Sequence, residues 1–181
     1  MKNLFITMTT VCMALFCFTD LAAEEENHLF LKFANGEKLV LPLEAEDYSQ
    51  FRLESTKYIP QTRAYIQEWL NGDERITIIQ ERKKHRRVCQ LEVAMREMAR
   101  LMYPGSAFTL NTVQKTKGEI ILISEAPNGH QEISPFTTIT RHLMTPNCDQ
   151  YIVFEKRNGT LTDEEKEAWV EKLKQAYVSN L

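Results

Sequence analysis

Short apolar runs in this chain alternate with turn-forming dipeptides, the spacing of a small β-rich domain. Leu29-Phe30-Leu31-Lys32-Phe33 and Lys38-Leu39-Val40-Leu41 flank Asn35-Gly36. That dipeptide supplies the positive φ angles of a tight turn, so a β-hairpin is expected. A second hairpin is expected where Tyr65, Ile66 and Trp69 precede Asn71-Gly72 and the β-branched Ile76-Thr77-Ile78-Ile79 follows. Pro60 and Asn71-Gly72 equally suit the two ends of a helix over residues 64–70. Four further β-type runs begin near Phe108, Glu119, Ile133 and Gln150, separated by Lys117-Gly118, Asn128-Gly129 and Pro146-Asn147, the layout of a meander.

Two stretches carry a helical period instead. Val88, Leu91, Met95, Met98 and Met102 recur at three- and four-residue steps and share one face of a helix over residues 87–103, which Pro104-Gly105 ends. Thr162-Asp163-Glu164-Glu165 is a capping box that opens a closing helix with Trp169, Val170, Leu173, Ala176 and Tyr177 on one face. Each element has one apolar face to bury. An α+β fold is therefore expected, an antiparallel sheet of hairpins and meander with both amphipathic helices on one face. From about Glu74 onward this order of elements resembles that of the PsbP-like α/β sandwich, a type of small exported domain. The resemblance implies a fold and transfers no functional residue.

The first residues change the picture of where the protein works. Lys2, an apolar run from Leu4 to Phe18 and Leu21-Ala22-Ala23 before Glu24-Glu25-Glu26 have the three-part layout of a secretory signal. Residues 1–23 are read as a cleaved signal peptide and residues 24–181 as one globular domain, exported to a periplasm or secreted. The apolar run is shorter than the roughly 20 residues of a membrane-spanning helix, so no transmembrane segment is expected after cleavage. Val11 and Phe16 precede Cys12 and Cys17, where a lipoprotein cleavage site requires a small residue.

A chain that is 43% apolar and 26% charged has the composition of a folded domain. Its formal net charge of -3 argues against a nucleic-acid partner, because affinity for phosphate backbones comes from clustered positive charge. One such cluster is present locally. Arg82, Lys83, Lys84, His85, Arg86 and Arg87 are consecutive and lie just before or within the first turn of the first long helix, where the helix dipole is already positive. A docked anion relieves that conflict, which makes these residues a candidate binding patch for an anionic glycan, a lipid surface or an acidic protein. The plain alternative is a solvated run neutralised by Glu81, Glu92 or Glu44-Ala45-Glu46-Asp47.

Cys89 and Cys148 are the only cysteines after the signal, and in an oxidising compartment an even pair tends to bridge, so a disulfide is expected. Closing so long a loop contributes roughly 4 kcal/mol in the chain-entropy model. The competing reading is catalytic: Cys89 as nucleophile at a helix start, followed in chain order by His142 and then Asn147 or Asp149, is the order of a small thiol hydrolase. Met95, Met98, Met102 and Met144 offer soft copper(I) ligands, but their spacing is that of core packing, so no metal is expected. Asn158-Gly159-Thr160 fits a glycosylation acceptor and, more simply, a turn. No zincin, phosphate-loop, nucleophile-elbow or Cys-x-x-Cys motif occurs, and no cofactor is expected. The leading expectation is a non-enzymatic binding protein that uses the basic patch or an exposed strand edge. The thiol hydrolase is the alternative.

Overall fold

A computed structural model describes residues 28–32, 37–82, 92–97, 101, 108–127, 134–146 and 148–180. In chain order the elements are β1 (His28–Lys32), β2 (Glu37–Pro42), α1 (Ala45–Gln50), β3 (Arg52–Ile59), β4 (Ala64–Asn71), β5 (Glu74–Arg82), β6 (Thr109–Lys115), β7 (Glu119–Ala126), β8 (Phe136–Met144), β9 (Cys148–Arg157), α2 (Asp163–Lys174) and β10 (Tyr177–Asn180). Residues 92–97 are also helical.

The strands form a seven-stranded sheet of order β3-β4-β5-β9-β8-β7-β6 and a three-stranded sheet of order β1-β2-β10. Every neighbouring pair in these two sheets is antiparallel. Both expected hairpins form, β1 with β2 and β4 with β5, and Gly72 adopts φ +58 in the turn of the second. Residues 64–70 are strand because Ile66 and Trp69 pair across to Ile79 and Ile76, which a lone helix turn would leave without partners.

Alternation along the strands decides what is buried. Ile76, Ile78, Ile121, Ile139, Ile152 and Phe154 all point to one face of the large sheet and are fully buried. Leu29, Leu39 and Leu41 of the small sheet and Trp169, Val170 and Leu173 of α2 close over that face. Trp169 stacks on Phe154 with ring centroids 3.7 Å apart and meets Phe51 edge-on at 6.2 Å. Such side chains stabilise by about 1.5–3 kcal/mol each when fully buried.

The capping box that opens α2 forms as expected: the Thr162 hydroxyl accepts from the Glu165 N–H at 3.2 Å, and the Glu165 carboxylate accepts from the Thr162 N–H at 2.7 Å. At the other end the buried Arg141 of β8 donates to the carbonyls of Leu173 and Ala176, while its Nε is held by Glu119 at 2.7 Å. A guanidinium at a helix C-terminus satisfies carbonyls that have no partner within the helix and opposes the dipole. Tyr177 was expected on the helix face. Instead α2 stops at Lys174 and Tyr177 opens β10, opposite Val40.

The expectation of two helices on one face needs correction. Met95 packs with Leu110, Ile120 and Leu122, a separate apolar cluster. Ile120 and Leu122 alternate with Ile121, so this cluster lies on the face opposite α2. The sheet has apolar positions on both faces at β7, and one helix cannot cover both. Residues 1–27, Met98 and Met102 lie outside the described residues, and with them the signal-peptide reading. Among the described residues no helix is long and apolar enough to cross a membrane.

Candidate functional site

Three central strands, β5, β9 and β8, place polar side chains at one end of the large sheet. Here Gln80 faces Gln150, Glu81 faces Asp149 and Arg82 faces Cys148, with His142 opposite Tyr151 on the next pair. Because neighbouring strand positions point to opposite faces, this end holds two separate clusters.

On the face toward α2, Cys148 lies buried beneath β2. Its thiol donates to Glu37 Oε2 at 3.0 Å, and the carboxamides of Gln80 and Gln150 each reach the same carboxylate oxygen at 3.3 Å. Glu37 arrives there because it shares the inward face of β2 with Leu39 and Leu41. Thr145 Oγ1 stands 3.1 Å from the sulfur. Burial, then the bond to the Glu37 carboxylate, pushes the Cys148 thiol above its ordinary pKa. A thiol held protonated in this way is a poor nucleophile. Cys148, expected as half of a disulfide with Cys89, is a free buried thiol at the first position of β9. Cys89 lies outside the described residues, and with it the expected bridge.

The opposite face holds the pair that chain order had suggested. His142 Nε2 lies 3.3 Å from Asp149 Oδ1, both side chains almost wholly buried. Tyr151 stacks flat on the imidazole, with centroids 4.3 Å apart and planes 8° apart, and its hydroxyl donates to Glu81 at 3.2 Å. An ionised carboxylate only accepts, so Nε2 carries the proton and Nδ1 presents a lone pair. That Nδ1 is buried and has no hydrogen-bond partner among the described residues. Burial lowers the His142 pKa, opposed by the nearby Asp149 and Glu81 carboxylates, and keeps the ring neutral near pH 7. Asp149 points away from Cys148 although the two are adjacent in sequence, so Cys148 and His142 form no thiol–imidazole pair.

Of the basic patch, Arg82 is described: it is the last residue of β5 and is exposed. Lys83, Lys84, His85, Arg86, Arg87 and Asn147 lie outside the described residues. Met144 and Met95 pack in the apolar cluster around Ile120, the role expected from their spacing. Asn158 takes φ 57, as a turn residue does. Among the described residues no group of three or more His, Cys, Asp or Glu side chains is placed to hold a metal ion. Sequence reasoning missed Glu37, Gln80, Gln150 and Arg141, since polar residues inside apolar strands give no sign of meeting until the sheets are stacked. No family model matches the chain, and a search of curated proteins returns no relative.

Proposed function

We propose that this is an exported, non-enzymatic binding protein that meets an anionic partner through Arg82, Lys83, Lys84, His85, Arg86 and Arg87. The observation that carries the reading is the exposure of Arg82 where β5 ends, beyond the last core position of that strand. Uncompensated cations in the core would cost several kcal/mol each, whereas at the rim of the sheet solvent or a bound anion meets them.

The test compares the protein with a variant carrying Lys83→Ser, Lys84→Ser, Arg86→Ser and Arg87→Ser, on anionic vesicles and on an acidic glycan column. The parent protein is retained at low salt and released as the Debye length falls below about 8–10 Å, while the variant passes through. Equal elution of two folded proteins overturns the reading.

A second reading is favoured by the meeting of His142 and Asp149 at 3.3 Å. In a thiol hydrolase Asp149 would orient the ring and His142 Nδ1 would take the proton from Cys89, the nucleophile. This reading and a Cys89–Cys148 bridge exclude each other. Arg82 lies opposite Cys148 in the ladder, and the seven residues on to Cys89 span at most about 23–25 Å, so a bridge is within reach. Intact-mass measurement after alkylation in denaturant, with and without reductant, separates them. Two alkylated cysteines in the denatured, unreduced mature protein remove the bridge and leave Cys89 free to act, and alkylation only after reduction removes the hydrolase.

A further inference from the structure

We propose that the groove between α2 and the edge strand β6 seats an extended segment of a partner protein in which Lys or Arg alternates with apolar residues. The groove has a volume of about 650 Å³ and is independent of the basic segment. Its apolar floor is Val113, Ile123 and Val170. Val113 reaches it through a bulge: the β6–β7 register shifts between Thr112 and Gln114, and Val113 is left 45% exposed on a strand edge. Edges are ordinarily blunted with polar side chains, and bulges re-aim a side chain while interrupting the ladder. A ligand here is therefore gripped by side chains, not by continuation of the sheet.

The α2 wall chooses the ligand's charge and spacing. Asp163, Glu167 and Glu171 follow one another at four-residue steps, and Glu125 joins them from β7. Against these four carboxylates stand Lys166 and Lys174, leaving two negative charges in excess. Lys166 is already held by Glu125 at 2.9 Å and Asp163 at 3.1 Å, and Lys174 by Glu171 at 2.6 Å. Glu167 is exposed and makes no ion pair with a described residue. Four residues of helix rise about 6 Å, and alternate residues of an extended chain lie about 6.6 Å apart. A strand with cations at every second position thus matches the carboxylate row, and its intervening apolar side chains turn toward Val113 and Ile123.

The experiment uses fluorescence anisotropy with a labelled ten-residue peptide alternating Lys and Val, and a second alternating Glu and Val. The protein should bind the Lys peptide at least tenfold more tightly than the Glu peptide, with affinity falling as salt rises. Glu167→Lys and Val113→Asp should each weaken binding tenfold or more. Glu54→Lys, the same charge change on the far edge strand, should leave it unchanged. Both Lys variants alter exposed side chains, so the comparison stands even if Val113→Asp unfolds. Equal loss in Glu54→Lys marks non-specific attraction and overturns the proposal. So does a dimer in sedimentation that Glu167→Lys dissociates, since the groove is then an interface between two copies.

Discussion

His142 is almost wholly buried, and its surroundings set a pH dependence with a definite sign. Its folded-state pKa is lowered, first by burial. Above the ordinary value of about 6.5 the ring is neutral in both states and contributes nothing. As pH falls through that value the unfolded chain takes up the proton first, so stability falls, and the loss levels off once the folded ring protonates as well. Urea unfolding should therefore give a lower midpoint at pH 5.5 than at pH 7.5. His142→Gln, which keeps a donor for Asp149 but does not titrate, should reduce that difference. An unchanged pH slope in the variant would show that other groups govern it. Chain order put Cys89, His142 and Asp149 in one reading, and the Asp149–His142 half of it meets because both side chains take the same face of paired strands. Nothing in the local sequence of Gln80 or Gln150 announces the Glu37 carboxylate they share, since Glu37 lies on another sheet.

At the scale of elements, α2 was the most legible. Its N-terminal cap needs contacts within four residues of chain, and its buried face of Trp169, Val170 and Leu173 repeats at the helical period. Thr162→Ala removes the acceptor for the Glu165 N–H and should cost about 1 kcal/mol in equilibrium unfolding. A loss below about 0.3 kcal/mol would mean that solvent replaces the cap at no cost. The end of α2 was misread because its last apparent apolar position, Tyr177, belongs to β10, whose pairing with β2 is long-range. β3 was missed for a related reason. Its sequence, Arg52–Ile59, is largely polar and exposed, and it is a strand because β4 offers a ladder along its edge.

For the whole molecule, the export reading carries its own test. N-terminal sequencing of protein recovered from its native compartment should begin at Glu24 or within a residue or two of it, and an intact Met1 would refute cleavage. An antiparallel α+β architecture was legible from the sequence because hairpin turns, β-branched runs and the α2 cap all act between residues close in the chain. Asn71-Gly72 and the β5 isoleucines pointed to a hairpin, and pairing along β5 decided that residues 64–70 are strand and not helix. Tertiary structure alone decided that β5 pairs with β9, placing Arg82 beside Cys148 and Glu81 beside Asp149. It alone divided the apolar residues of β7 between two faces, brought Glu37 over Cys148 and set Arg141 under the end of α2. These outcomes depend on which strand edges and faces remain to be covered once every local element has formed. The whole chain settles that competition, and no short stretch of sequence encodes it.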